Sequence, residues 1–108
     1  MLVSEHSIQG AQAGRQERLR TAFSTLGLDA VLINHEIDIR YLTGFIGHDS
    51  LLLVDSDDSV IVSDFRYDEQ LNPIRQNGLC SVEIGIRHRL DESIQRLCAE
   101  RGIKSLGV

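Results

Sequence analysis

Residues 29–67 read DAVLINHEIDIRYLTGFIGHDSLLLVDSDDSVIVSDFRY, and this stretch decides the fold. After Asp29 comes a short apolar run, Ala30-Val31-Leu32-Ile33, suited to a strand buried on both faces. Asn34 to Arg40 turns polar, and Ile37 and Tyr41 sit four apart, which predicts a short helical segment. Gly44 and Gly47 break that pattern. Ser50 to Val54 and Val60 to Ser63 are apolar runs separated by Asp55-Ser56-Asp57-Asp58-Ser59. Two such runs around a polar, Asp-rich loop predict an antiparallel hairpin whose tip is solvated. Asp64 is placed to cap a following helix, because its carboxylate can accept amide protons left unpaired in a first turn.

Periodicity extends the reading on both sides. Leu19, Ala22, Phe23 and Leu26 recur at spacings of three and four, so Arg15 to Leu26 is expected to form an amphipathic helix with these four on one face. Gly27 then suits a left-handed helix end. Downstream, a helix is expected from about Arg66 to Gln76, kinked by Pro73 and ended by Asn77-Gly78. Leu79 to Ile84 reads as a strand. Leu90, Ile94 and Leu97 mark another helix, ending at Arg101-Gly102. Ile103 to Val108 reads as the beginning of one more strand, which makes Val108 a fragment boundary in this reading. Helical and strand periods alternate throughout, so the expected class is α/β: a mixed β-sheet of five or six strands flanked by helices. Met1 to Gly14 is polar and is expected to be a flexible segment ahead of a domain spanning 15–108.

At 108 residues the chain fits one small domain. Its charge is 11 minus 16, or −5, which argues against a basic nucleic-acid or anionic-membrane surface. No apolar run approaches the ~20 residues that span a bilayer. Cys80 and Cys98 lie far apart and read as two small apolar residues of a reducing cytoplasm. His6, His35, His48 and His88 lack the spacing of a zinc helix or a Cys/His cluster, so no metal site is expected in this chain. Asp55, Asp57 and Asp58 lack the Gly and terminal Glu of a calcium loop. Phosphate-binding glycine loops and a nucleophile elbow are missing too.

Two short signatures remain, in order: Tyr41-Leu42-Thr43-Gly44-Phe45 and Asp64-Phe65-Arg66-Tyr67. Taken as structure, Tyr41, Leu42 and Phe45 fill core and Gly44 permits a turn. Asp64 caps a helix, and Arg66 pairs with a carboxylate. With the hairpin between them, the two signatures resemble the N-terminal domain of the creatinase, prolidase and aminopeptidase P family, over about Arg15 to Val108. A common form of the second motif has Gly where this chain has Phe65, so the turn here carries an added apolar side chain.

The resemblance implies that this domain is not the one that cuts. In that family a second domain, of pita-bread fold, binds two divalent metals, often manganese or cobalt, through two Asp, one His and two Glu. This chain holds no segment that would supply them. Members cleave the bond before proline, as Xaa-Pro aminopeptidases or prolidases, whereas creatinase hydrolyses creatine without metal. The implied partners are the catalytic domain of the same polypeptide, a second copy in a homodimer, and proline-containing peptides. The resemblance also makes His48 and Asp49, in the loop after the first motif, candidates for the rim of a neighbouring active site. Arg66 and Tyr67 become candidates facing the substrate channel, with Arg66 able to pair a peptide carboxylate. Two other readings stay open: a stand-alone interaction or regulatory module with this fold and no peptidase activity, and an unrelated small-ligand α/β domain with a pocket at its strand ends.

Overall fold

The computed structural model describes residues 5–108, with side chains from Gly10 onward. Its elements are α1 (Glu5–Thr25), β1 (Ala30–Ile33), α2 (Glu36–Thr43), β2 (Leu51–Asp55), β3 (Ser59–Asp64), a 3₁₀ turn (Phe65–Tyr67), α3 (Asn72–Asn77), β4 (Ser81–Gly85), α4 (Leu90–Arg101) and β5 (Leu106–Gly107). The strands form one sheet in the order β4-β3-β2-β1-β5. β2 pairs antiparallel with both β1 and β3, while β4 runs parallel to β3 and β5 parallel to β1. Four strands therefore share one direction and β2 opposes them. The expected mixed five- or six-strand sheet is realised with five strands among the described residues.

Strand alternation splits the core in two, because successive side chains leave a strand on opposite faces. Leu52, Val54 and Ile61 pack on one face with Phe23, Ile39, Leu42, Phe45, Leu71 and Ile74, that is, under α1, α2 and α3. Leu53, Val60 and Val62 pack on the other with Leu90, Ile94 and Leu97 of α4. The hairpin runs Leu51↔Val62 to Val54↔Ser59, as the two apolar runs predict.

Several expectations change. The helix expected from Arg15 begins at Glu5, so residues 5–14, expected to be flexible, continue α1; residues 1–4 of that segment lie outside the described residues. Within this extension Gln12 lies against Gly44 at the end of α2, and just after it Arg15 and Gln16 bond to α2 carbonyls. The buried stripe of α1 includes Gln16 and Phe23, while Ala22 and Leu26 face out. Tyr41, expected in the core, is 52% exposed, with the Arg15 guanidinium 4.1 Å from its ring centroid. The continuous helix expected over 66–76 is two pieces, and Pro73 opens the second instead of kinking one. A first-turn proline costs nothing there, since its missing N–H has no helical acceptor.

The hairpin tip is also less solvated than expected. Asp55 is buried, and its Oδ1 accepts the amides of Asp57 and Asp58 at 2.8 and 2.7 Å. Its Oδ2 accepts from Arg101 at 2.8 Å. Asp55 thus folds the turn instead of decorating it.

Candidate functional site

Because β1, β3 and β4 run together, their carboxyl ends share one edge with the amino end of β2. Both signatures meet there. The first forms the end of α2, which stops at Gly44 with φ 80°, a backbone that glycine adopts without steric cost. Three α1 groups border this helix end. Arg15 donates to the Tyr41 carbonyl at 2.9 Å, and Gln16 Nε2 donates to the Leu42 carbonyl at 2.9 Å. Gln12 lies so close that a Cβ on residue 44 would fall 2.7 Å from its Nε2. The loop then folds back at Gly47, where a Cβ would meet the Phe45 ring at 2.3 Å.

The second signature is locked by Asp64 and Arg66. Asp64 accepts the Arg66 amide at 3.1 Å, as the expected cap does, though the cap opens a 3₁₀ turn and not a long helix. It also holds the Arg66 guanidinium through Nε and Nη2, both at 2.8 Å. The fork of charge-assisted bonds fixes the guanidinium plane. The Asp64 side chain is only 3% exposed. Arg66 holds the Asp64 carboxyl below its ordinary value of 3.8, and Asp64 in turn raises Arg66 above its own.

The two loops are bonded to each other. The His48 amide donates to the Tyr67 hydroxyl at 3.0 Å, and the Phe45 and Tyr67 rings meet edge to face with centroids 5.5 Å apart. Asp49, at φ 54°, places Oδ2 3.5 Å from Arg66 Nη2. His48 Nδ1 lies 2.9 Å from Glu36 Oε1. Ser50 and Ser63 share a hydroxyl contact of 2.8 Å beneath, and Gln70 donates to the Ile46 carbonyl at 2.7 Å. His48, Asp49, Arg66 and Tyr67, singled out separately in the sequence, therefore form one cluster. Thr43 supports it from below: its hydroxyl donates to the Ile39 carbonyl at 2.7 Å and accepts the Phe45 amide at 3.1 Å.

Gln16 and Glu36 belong to this site and escaped the sequence reading. Gln16 looks like any polar residue of a surface helix, and Glu36 like any first-turn acid. Among the described residues no three His, Cys, Asp or Glu are grouped to hold a metal ion. Cys80 and Cys98 are both free, and burial pushes the Cys80 thiol up to about 11. At the opposite edge lies a cleft of about 850 Å³ lined by Arg20, Asp29, Asp55 and Arg101 among others. Several of its charged groups bond within the fold: Arg20 donates to the Asp55 carbonyl, Arg101 donates to the Asp55 carboxylate, and Asp29 accepts from the Lys104 amide.

The fold and the site together define a mixed α/β domain whose two loop signatures close on each other at one sheet edge. The Creatinase/Prolidase N-terminal domain profile matches residues 15–108, and the chain belongs to that family. An uncharacterized peptidase of Bacillus subtilis, YqhT, is 35% identical over 91 residues, which is 84% of this chain and 25% of the relative. The N-terminal domain of the cytoplasmic peptidase PepQ from Mycobacterium tuberculosis is 30% identical with a TM-score of 0.72, covering 86% of this chain and 70% of that one. An Xaa-Pro dipeptidase from Bacillus anthracis is 27% identical with a TM-score of 0.73, covering 88% and 26%. The chain spans about a quarter of the curated relative it matches. No helix among the described residues is long and apolar enough to cross a membrane.

Proposed function

We propose that this chain is the non-catalytic N-terminal domain of a cytoplasmic proline-specific metallopeptidase, either an Xaa-Pro aminopeptidase or a prolidase. The observation that carries this reading is the family match over 15–108 together with relatives that are peptidases about four times as long as the matched segment. In this reading hydrolysis belongs to a second, pita-bread domain that holds two divalent metals, manganese or cobalt. Metal-bound water supplies the nucleophile there at neutral pH. The present domain contributes access and assembly. Its carboxyl edge, with His48, Asp49 and Tyr67 braced by Arg66, forms part of the wall past which a proline-containing peptide reaches the active site of a homodimer. The free cysteines and the cytoplasmic peptidase among the relatives support the compartment.

The direct test is a peptidase assay on the purified chain with added Mn²⁺. No release of the residue before proline is expected from Xaa-Pro-containing peptides. Measurable hydrolysis that scales with chain concentration would contradict the assignment of the chemistry to another domain.

A further inference from the structure

Three arginines follow the carboxyl ends of β3 and β4: Arg66, Arg87 and Arg89. Arg89 pairs with Glu92 at 3.0 Å. Arg66 is forked by Asp64 through Nε and Nη2, and the Asp49 carboxylate lies 3.5 Å from the same Nη2. An incoming anion at Arg66 would face two resident carboxylates, so its charge is already neutralised. Arg87 is exposed and has no ion-pair or hydrogen-bond partner among the described residues.

Its position is nonetheless fixed. Asp64 and Gly85 are register partners in the parallel pair β3–β4, so Arg66 and Arg87 each stand two residues past a paired position. Arg87 sits in a tight turn closed by the Arg89 amide donating to the Ile86 carbonyl at 2.8 Å, with His88 at φ 66°. Its charge is near enough to help hold the Asp64 carboxyl down. Directly after the paired residues stand Phe65 and Ile86, 81% and 61% exposed. An unpartnered guanidinium on a hydrogen-bonded turn, next to two exposed apolar side chains, fits a ligand with a carboxylate and a small apolar body.

We propose that Arg87, not Arg66, is the anion receptor of this edge, taking the terminal carboxylate of a short apolar peptide. Arg66 is then the strut that fixes Asp64, Asp49 and Tyr67 around it. This rests on the reading of the edge as a substrate-channel wall.

The experiment is a titration of the ¹⁵N-labelled chain with the dipeptide Ala-Pro, its C-terminal amide and acetate, followed by backbone amides and arginine Nε–H signals. Ala-Pro is expected to shift residues 85–89 and the Arg87 side chain saturably and weakly, because one exposed ion pair contributes little. The amide and acetate are expected to bind more weakly. Arg87→Gln should remove the difference between acid and amide, weakening Ala-Pro by about two- to fivefold, while Arg89→Gln leaves the difference intact. Acid–amide discrimination that survives in Arg87→Gln overturns the Arg87 assignment and leaves the channel-wall reading standing. Equal binding of acetate and Ala-Pro overturns the peptide as ligand. Silence along the whole edge overturns both Arg87 and the peptide-facing role, whereas the parent-enzyme reading is judged by its own tests.

Discussion

Gln16 joins three parts of the molecule through one side chain. Its Nε2 donates to the Leu42 carbonyl and approaches Cys80 Sγ at 3.5 Å, and its Oε1 accepts from the Ser59 hydroxyl at 2.6 Å. The residue is 2% exposed, so no water replaces these partners. Gln16→Ala should lower unfolding free energy by about 1–3 kcal/mol, because a buried carbonyl and a buried hydroxyl lose their partner. Urea denaturation checks this, and an unchanged midpoint would show that the network is redundant. Nothing in the helical periodicity separates Gln16 from the polar residues around it. Its role depends on Ser59, which lies 43 positions away and becomes a neighbour only in the folded sheet. Asp64 was more legible, since a cap is a local arrangement; the fork to Arg66 two residues on is equally local.

At the scale of elements, the hairpin was readable because strand alternation and an Asp-rich break are properties of neighbours in sequence. Its turn hides an electrostatic device that is not. Burial pushes the Asp55 carboxyl up, but Arg101 and the amides of Asp57 and Asp58 outweigh it, and the net shift is below the ordinary 3.8. Asp64 is lowered by Arg66. A carboxyl held low in the folded state takes up protons first when the chain unfolds, so acid favours unfolding. The stability these two groups contribute is complete above their ordinary value and is lost as pH falls through the lower folded values. The urea midpoint is therefore expected to fall below about pH 4, and Asp55→Asn should flatten that fall while lowering stability at pH 7. A midpoint independent of pH between 5 and 2.5 would contradict it. The segment after Asp64 was misread. One helix was expected over 66–76, kinked at Pro73, but the chain forms a 3₁₀ turn at Phe65–Tyr67 and a separate helix at Asn72–Asn77, with Pro73 in its first turn.

For the whole molecule, the strand order decides what the motifs can do. The signatures are short and recognisable one at a time, and they led to the right family. That they close on each other follows from β2 returning antiparallel between β1 and β3, which brings the start of one strand to the end of the next. That Arg87 joins the same edge follows from β4 lying parallel to β3, a pairing of non-neighbours that no local pattern announces. The core has two faces, with three helices on one side and α4 on the other, and it holds the strands whose ends form this edge.

The central claim is that this domain is the accessory part of a two-metal, proline-specific peptidase. Reading the gene beyond the codon for Val108 tests it most directly. The account predicts an open frame of roughly two hundred further residues or more, about one additional domain in length, containing two Asp, one His and two Glu in the family's ligand order. A stop codon within a few tens of residues, on the order of a loop or a single helix, would contradict it and leave a stand-alone binding module as the function of this fold.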